Sequence, residues 1–199
     1  MGDIKTAAQI AAEKLAKMTA PTEEEKLKWK YGPEGEKLAA QYLSVKEDIN
    51  LVEAIKKFEE KPRKLVTTIV NEILLKNISL PHNETVRKTD KKAMDGLKAL
   101  KNNKGAVDKV FQRLQHVLDH YLTEGAQQKK QAYDQLKQQF EVQLQQMVRQ
   151  QTGTSTGRVK IDVEKQPQFQ EEWARLQSQL EGQYVQLLDE YKQELAAID

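Results

Sequence analysis

The sequence predicts an all-α protein, and three observations support that fold class. Apolar residues recur at helical spacing over roughly four fifths of the chain. The stretch from Gly105 to Gln151 contains no proline and repeats its apolar positions every eleven residues. The composition, with 31% charged and 6% aromatic residues, is typical of long exposed helical faces. We therefore expect a helical base that carries a long antiparallel two-helix arm similar to a coiled coil.

The N-terminal part of the chain is predicted to form separate helices. Asp3 to Met18 is amphipathic and has an alanine-rich face. Thr22 and Glu25 have the spacing of a capping box for the next helix, which Tyr31-Gly32-Pro33 is expected to break. A longer helix is expected over Glu34–Glu60, where apolar residues follow a 4-3-4-3 spacing.

The middle of the chain is predicted to supply the buried centre of the base. The helix that begins near Pro62 and ends near Ile78 is the most apolar segment of the sequence. A loop over Ser79–Thr89 separates it from a short basic helix, which ends before Gly105.

Two long helices follow, and their apolar stripes predict that they pair as an antiparallel hairpin. Eleven residues in three turns give about 3.67 residues per turn, so each stripe runs almost straight along its helix. The second helix begins at Pro167 and ends near Ile198. Three positions of the first stripe, Gly125, Lys129 and Gln151, are not apolar. The apolar members of the first stripe are Phe111, Leu114, Leu118, Leu122, Tyr133, Leu136, Phe140, Leu144 and Met147. Those of the second are Phe169, Trp173, Leu176, Leu180, Tyr184, Leu187, Tyr191, Leu195 and Ile198.

This pattern divides the chain into a base and an arm. Residues 1–122, together with the C-terminal end of 167–199, are predicted to form the helical base. Residues 123–190 are predicted to form the projecting hairpin, with a tip loop over 152–166. Arg158 to Val163 in that loop alternates like a strand, which indicates an extended tip or an edge that pairs with a second copy.

Charge and cysteine content restrict the possible functions. The net charge of +2 conceals a segment, residues 54–104, with 13 basic and 6 acidic side chains. The absence of cysteine excludes disulfides, thiolate nucleophiles and thiolate metal sites. No apolar run approaches the length of about 18 residues that a membrane span needs. Because charged residues also interrupt the N-terminal apolar windows, we expect a cytoplasmic protein without a membrane partner.

The leading interpretation is a non-enzymatic interaction or scaffold protein. Its hairpin is expected to mediate self-association, as a dimer or another homo-oligomer, or to bind a protein partner. The aromatic residues of the two stripes offer more apolar area than a two-helix seam hides. The candidate partner-binding residues are Tyr133, Phe140, Phe169, Trp173 and Tyr184.

An alternative interpretation is a nucleic-acid-associated protein that uses the basic segment 54–104. Cations interleaved with aromatic residues near position 29 could stack on bases, although an aromatic anchor to the core is the favoured interpretation there. The cations of the basic helix could bind phosphates or simply form a solvated face. The candidate residues are Lys28, Trp29, Lys30, Arg87, Lys88, Lys91, Lys92, Lys98 and Lys101.

A second alternative is a metal-binding or enzymatic helical bundle. His116 and His120 have the i, i+4 spacing that seats one metal ion on a helix, but both point to the polar side of the predicted stripe. No nucleophile–base pair, glycine-rich cofactor loop or helix-borne Glu-x-x-His motif occurs. The sequence therefore predicts no catalytic residue, no cofactor and no metal site, with His116 and His120 as the weak candidates.

Overall fold

The structure, a computed structural model, describes residues 21–44, 49–152 and 162–199. These residues form helices and contain no β-strand, so the predicted all-α class is confirmed. The chain divides into two compact units, Met1–Ile73 and Leu74–Asp199. The helix expected over Asp3–Met18 lies outside the described residues. Across the described ranges, no helix combines the length and the apolar character needed to cross a membrane.

The first unit contains α1 (Glu23–Leu43), α2 (Leu51–Lys56) and most of α3 (Glu60–Lys76). The predicted capping box is present, since the Glu25 N–H donates to Thr22 Oγ1 at 3.2 Å and the Thr22 N–H donates to Glu25 Oε2 at 2.8 Å.

The predicted helix break at Pro33 is wrong, because α1 continues through it. A Cβ built on Gly35 would stand 3.2 Å from Ile69 Cγ2, so α1 approaches α3 closely just beyond the proline. Such packing offsets the one helical hydrogen bond that a proline removes.

The single helix predicted over Glu34–Glu60 is also wrong. The extended Ser44 ends α1, and α2 begins after Asn50, whose side chain accepts from the Glu53 N–H at 3.2 Å. Asparagine is a preferred N-cap, and its local bond starts a new helix where apolar spacing alone predicts continuity. The Arg63 guanidinium then holds the end of α2, because it donates to the carbonyls of Lys56 and Phe58 at 2.8–3.0 Å.

The second unit contains the end of α3 and the helices that follow. These are α4 (Glu84–Leu100), α5 (Lys104–His120), α6 (Ala126–Thr152) and α7 (Pro167–Ala197). A π-helical turn, Tyr121–Gly125, joins α5 to α6, and a short 3₁₀ turn, Val163–Lys165, precedes α7. The long helix predicted over Gly105–Gln151 is therefore present with a π turn in its middle.

Helix α7 packs antiparallel to α5, the π turn and α6. Arg113 of α5 contacts Glu194, near the C-terminal end of α7, whereas Tyr133 of α6 contacts Trp173, near its N-terminal end. The order of these contacts shows that α7 runs in the opposite direction to α5 and α6. The C-terminal end of α7 lies at the α4–α5 connection, where the backbone N–H groups of Asn102 and Asn103 both donate to the Asp199 carbonyl at 3.0 Å.

The predicted stripes need three corrections. Leu122, Met147 and Leu187 are exposed, at 38%, 50% and 38%. Leu122 lies in the π turn, whose extra residue turns Tyr121 inward in its place. Leu188, which is only 3% exposed, takes the buried position predicted for Leu187. The reason is that α7 packs against α6 before this level and against the π turn and α5 from here on.

The strand-like interpretation of Arg158–Val163 is not supported at Val163, which is buried to 2% in the 3₁₀ turn and packs with Leu136 and Phe169. The other residues of that pattern, up to Ile161, lie outside the described residues. So does most of the predicted tip loop.

Candidate functional site

The predicted partner-binding aromatics are found in the seam between α6 and α7. Tyr133 makes edge-on contacts with Phe169 and Trp173, with ring centroids 5.6 and 4.9 Å apart, and Phe140 contacts Phe169 at 5.5 Å. Phe169 is only 3% exposed, so it cannot contact a partner, and the prediction needs correction there. The reason is that edge-to-face packing buries this ring within the hairpin itself.

The exposed apolar side chains lie elsewhere on the same hairpin. Six large hydrophobic residues are exposed within the described ranges, and five of them belong to the π turn, α6 or α7. Their exposed fractions range from 38% to 50% on this segment. The five are Leu122, Val142, Met147, Val185 and Leu187.

A polar cluster occupies the level of the π turn. Tyr121, Lys129 and Gln177 all donate to Glu181 Oε1, at 3.0, 2.9 and 3.3 Å. The Tyr121 oxygen is also 2.9 Å from His82 Nδ1. Because the Tyr121 hydroxyl donates its proton to Glu181, Nδ1 of His82 must be the donor to Tyr121.

This cluster changes the acidity of its members. Burial is the largest single effect on the Glu181 carboxyl and would raise its pKa, but the bonds from Lys129, Tyr121 and Gln177 together bring that pKa below its usual value. Burial and the neighbouring Glu181 raise the pKa of Tyr121, so its hydroxyl remains a proton donor. These hydrogen bonds link α7, α6, the π turn and the loop of His82, which indicates a structural latch.

His120, one of the two weak metal candidates, belongs to the edge of this cluster. Its Nδ1 is 2.9 Å from the Tyr184 hydroxyl, while His116 is exposed on the preceding turn. In the described part of the chain, no group of three or more His, Asp or Glu side chains is placed to hold a metal ion.

The basic residues of α4 line a wide groove between α4 and α5. The groove has a volume of about 920 Å³ and a floor formed by apolar side chains such as Met94, Phe111 and Leu118. Its α4 rim carries four of the nucleic-acid candidates, together with Glu84 and Asp95. The four are Arg87, Lys88, Lys91 and Lys98.

Several of the residues predicted to bind nucleic acid make ion pairs or hydrogen bonds within the chain. Lys98 Nζ is 2.5 Å from Asp108 Oδ1, and Arg87 Nη1 is 3.9 Å from Glu84. Lys101 donates to the Ile198 carbonyl, and burial lowers its pKa. Lys92 is half-buried and does not line the groove, whereas Lys88 and Lys91 line it and are exposed.

Trp29 belongs to the other compact unit and is 70% exposed on α1. The favoured prediction, in which Trp29 anchors a connector to the core, is therefore wrong. Because α1 continues through Pro33, the segment is a regular helix, and Tyr31 rather than Trp29 points inward to contact Phe58, at 6.2 Å between ring centroids. Lys28 and Lys30 flank Trp29 on the same helix.

Asp90 is a buried carboxyl inside α4, although the sequence predicts it or Thr89 as the N-cap of this helix, a position that Asn83 occupies. It is 3% exposed, and its Oδ1 accepts from the Ser79 N–H at 3.0 Å, whereas Oδ2 has no hydrogen-bond partner. Burial raises its pKa to about 6, against the lowering effects of the Ser79 bond and of electrostatic interactions with Lys192 and His82. The Ser79 bond ties the loop after α3 to α4.

One sequence signal does locate the polar cluster. Of the three stripe positions that are not apolar, Gly125 lies in the π turn and Lys129 bonds to Glu181. Their partners Tyr121, Glu181 and His82 carry no comparable signal, because single polar residues at helical or loop positions are common.

Comparisons with other proteins add a family relationship. No curated protein and no solved structure matches the chain. A family model matches residues 52–197, which is well over half of the sequence and includes every residue of the groove and the polar cluster. The chain belongs to DUF6657, a family of unknown function.

Proposed function

We propose that this protein is a non-enzymatic, cytoplasmic interaction protein that binds another protein chain through the outer surface of the α6–α7 hairpin. The observation that carries the proposal is the concentration of exposed apolar residues on one segment. Five of the six large hydrophobic side chains exposed in the described chain lie on the π turn, α6 or α7. Apolar side chains concentrated on one element favour association more than isolated ones do.

The exposed apolar residues are not part of the packing between α6 and α7. Phe169, Tyr133 and Phe140 already fill the seam, and Val142 and Met147 stand outside at 48% and 50% exposed. On α7, Val185 and Leu187 are 44% and 38% exposed, next to Tyr184, which contacts the π turn. The apolar surface therefore occurs at two levels of the hairpin, near the end of α6 and near the π turn.

The experiment replaces the outer residues and retains the seam. Val142→Ser with Met147→Ser, and Val185→Ser with Leu187→Ser, are each expected to abolish partner recovery in pull-downs from the native cell while leaving far-UV circular dichroism unchanged. Gln145→Ser with Gln146→Ser, on exposed positions of the same helix, is the matched control and should retain the partner. Equal recovery by all four proteins would refute the proposal.

A second candidate function is nucleic-acid binding, and the specific observation that favours it is the 70% exposure of Trp29 between Lys28 and Lys30. An exposed indole beside cations is the arrangement that stacks on unpaired bases. Trp29→Ala should then weaken the binding of a single-stranded oligonucleotide at least tenfold, and wild-type affinity should fall steeply with salt. An unchanged isotherm for Trp29→Ala would remove this candidate.

A further inference from the structure

We infer that the groove between α4 and α5 is an interface for a second copy of this chain, related by a two-fold axis that lies in the interface parallel to the two helices. This surface shares only Leu122 with the exposed apolar residues of the hairpin. We base the inference on the opposite charges of the two rims of the groove and on the order in which those charges occur.

The two rims are formed by antiparallel helices. A connection of three residues, 101–103, joins α4 to α5. The Lys98–Asp108 ion pair closes one end of the groove, and Glu84 and Leu122 line the other. Each rim is about 20 Å long, from about 15 residues at 1.5 Å each.

The rims carry opposite net charge. On α4, the groove is lined by four cations, Arg87, Lys88, Lys91 and Lys98, and by two exposed acids, with Asp90 buried beneath them. On α5, the only charged side chains that line it are Asp108 and Asp119, because Lys109 and Arg113 do not line the groove. Arg113 instead pairs with Glu194 of α7 at 2.5 Å.

These charges select one two-fold arrangement. An axis perpendicular to the helices would stack α4 on α4 and bring the two cation-rich rims together, which is repulsive. An axis parallel to the helices places α4 of each copy over α5 of the other and preserves the level of every residue along the helices. The cation-rich rim of one copy then faces the acidic rim of the other.

The levels match in this arrangement. Since Lys98 pairs with Asp108 within one chain and the two helices are antiparallel, the level of each residue on α4 is shared by a residue on α5 whose number rises as the number on α4 falls. Lys88 therefore lies level with Asp119, and Lys91 with Gln115. Lys88, Lys91, Gln115 and Asp119 are all exposed, so each is available to the second copy. The long stems of the lysines can also cover the apolar floor that Met94 and Phe111 form.

Charged side chains form both rims of the interface, so the dimer should be sensitive to salt. Ion pairs at a solvated surface are screened when the ionic strength rises. Sedimentation velocity of the wild-type chain at micromolar concentration should show a dimer at low salt. Raising the salt to 1 M should increase the dissociation constant at least tenfold. The inference would be overturned if the wild-type chain stayed monomeric at every salt concentration tested and at protein concentrations up to roughly 100 μM.

Two charge-reversed variants provide the decisive test. The first carries Lys88→Glu and Lys91→Glu, and the second carries Gln115→Lys and Asp119→Lys. Each variant alone would place like charges against each other in both halves of the symmetric interface, so each should be monomeric. Mixed in equal amounts they should form a heterodimer, because the reversed α4 rim of the first faces the reversed α5 rim of the second.

The controls separate this result from misfolding and from the hairpin. Lys104→Glu with Lys109→Glu reverses charges on α5 that do not line the groove, and this variant should dimerise like the wild type. Far-UV circular dichroism should be the same for all variants. If both reversed variants dimerise as the wild type does, or if their mixture stays monomeric, the second copy does not bind in the groove. The serine variants of the hairpin should leave the dimer unchanged, so the two proposals fail separately.

Discussion

Gly125 of the π turn lies against the side chain of Tyr184 on α7, so closely that a Cβ atom added at Gly125 would stand 3.1 Å from the tyrosine oxygen. The same oxygen is 2.9 Å from Nδ1 of His120. The glycine therefore lets α7 approach the π turn and form the contacts that hold the two together, including the edge-on pair of Tyr121 and Tyr184 at 5.2 Å.

Substitution of Gly125 should show how much the close contact between the π turn and α7 contributes to the free energy of unfolding. Alanine is favoured over glycine inside a helix by about 1 kcal/mol, so Gly125→Ala would stabilise the protein if there were room for the added Cβ atom. We expect the clash with Tyr184 to cancel that gain or reverse it. Gly182→Ala on α7 is the matched control, because a Cβ there meets nothing within 4 Å, and it should raise the free energy of unfolding by about 0.5–1 kcal/mol. Urea unfolding measures both, and an equal gain for the two variants would contradict the prediction.

Glu181→Gln should destabilise the protein at neutral pH. The variant keeps an acceptor for Tyr121 and Gln177 but loses the ion pair with Lys129, in which the two side chains are only 17% and 29% exposed. We expect a loss of about 1–2 kcal/mol in the free energy of unfolding, as for charged hydrogen bonds that are partly shielded from water.

The pH dependence of this effect has a defined sign. Because the pKa of Glu181 is lower in the folded chain than in the unfolded one, its stabilisation is present above the ordinary glutamate pKa and is lost as the pH falls through the lowered value. The difference between wild type and Glu181→Gln should therefore disappear in acid. Glu164→Gln, which removes the more exposed pair with Lys137, is the control and should have the smaller effect. A Glu181→Gln variant as stable as wild type at pH 7 would show that the latch contributes no stability.

Asp90 should have the opposite pH dependence. Its pKa is raised to about 6 in the folded chain, so folding becomes less favourable as the pH rises from about 4, where the unfolded carboxyl ionises, to about 6, where the buried one does. A shift of two units corresponds to about 3 kcal/mol. Asp90→Asn should lack this decline, so its stability relative to wild type should increase by about 2–3 kcal/mol between pH 4 and pH 7.

Denaturant unfolding at several pH values measures this difference directly. The comparison between pH values removes any constant effect of the new amide group on packing. Asp95→Asn, on an exposed position of the same helix, is the control and should not follow that profile. If Asp90→Asn and wild type keep a constant difference from pH 4 to pH 7, folding does not raise the pKa of Asp90 and the prediction is wrong.

The seam of the hairpin should be sensitive to truncation of its buried ring. Phe169→Ala removes a side chain that is 3% exposed and that contacts Tyr133 and Phe140, so we expect a loss of about 3–5 kcal/mol. Met147→Ala, at a position that is 50% exposed on the same hairpin, should change stability by less than about 0.5 kcal/mol. Thermal unfolding followed by circular dichroism distinguishes them, and similar midpoints would show that the seam does not carry the stability of α6 and α7.

Local patterns in the sequence were sufficient for the fold class and for much of the second unit. Helical spacing predicts the long helix that became α5, the π turn and α6, and the Thr22–Glu25 spacing predicts a cap that depends on four consecutive residues only. Such features are determined locally, because a helix and its cap satisfy their own backbone groups. The two interruptions of the stripe at Gly125 and Lys129 also mark the place where the polar cluster forms.

Only the tertiary structure decided which residues of these helices are buried and which polar groups meet. Pro33 remains inside α1 beside the close approach of Gly35 to Ile69, a contact between residues 34 positions apart in the sequence. Glu181 contacts Tyr121 and Lys129 because α7 packs antiparallel to the π turn and α6. Leu188 is buried where periodicity predicts Leu187, because α7 passes from one neighbouring helix to the next at this level. These outcomes depend on packing between distant segments, and helical periodicity reports which face is apolar without reporting what will lie against it.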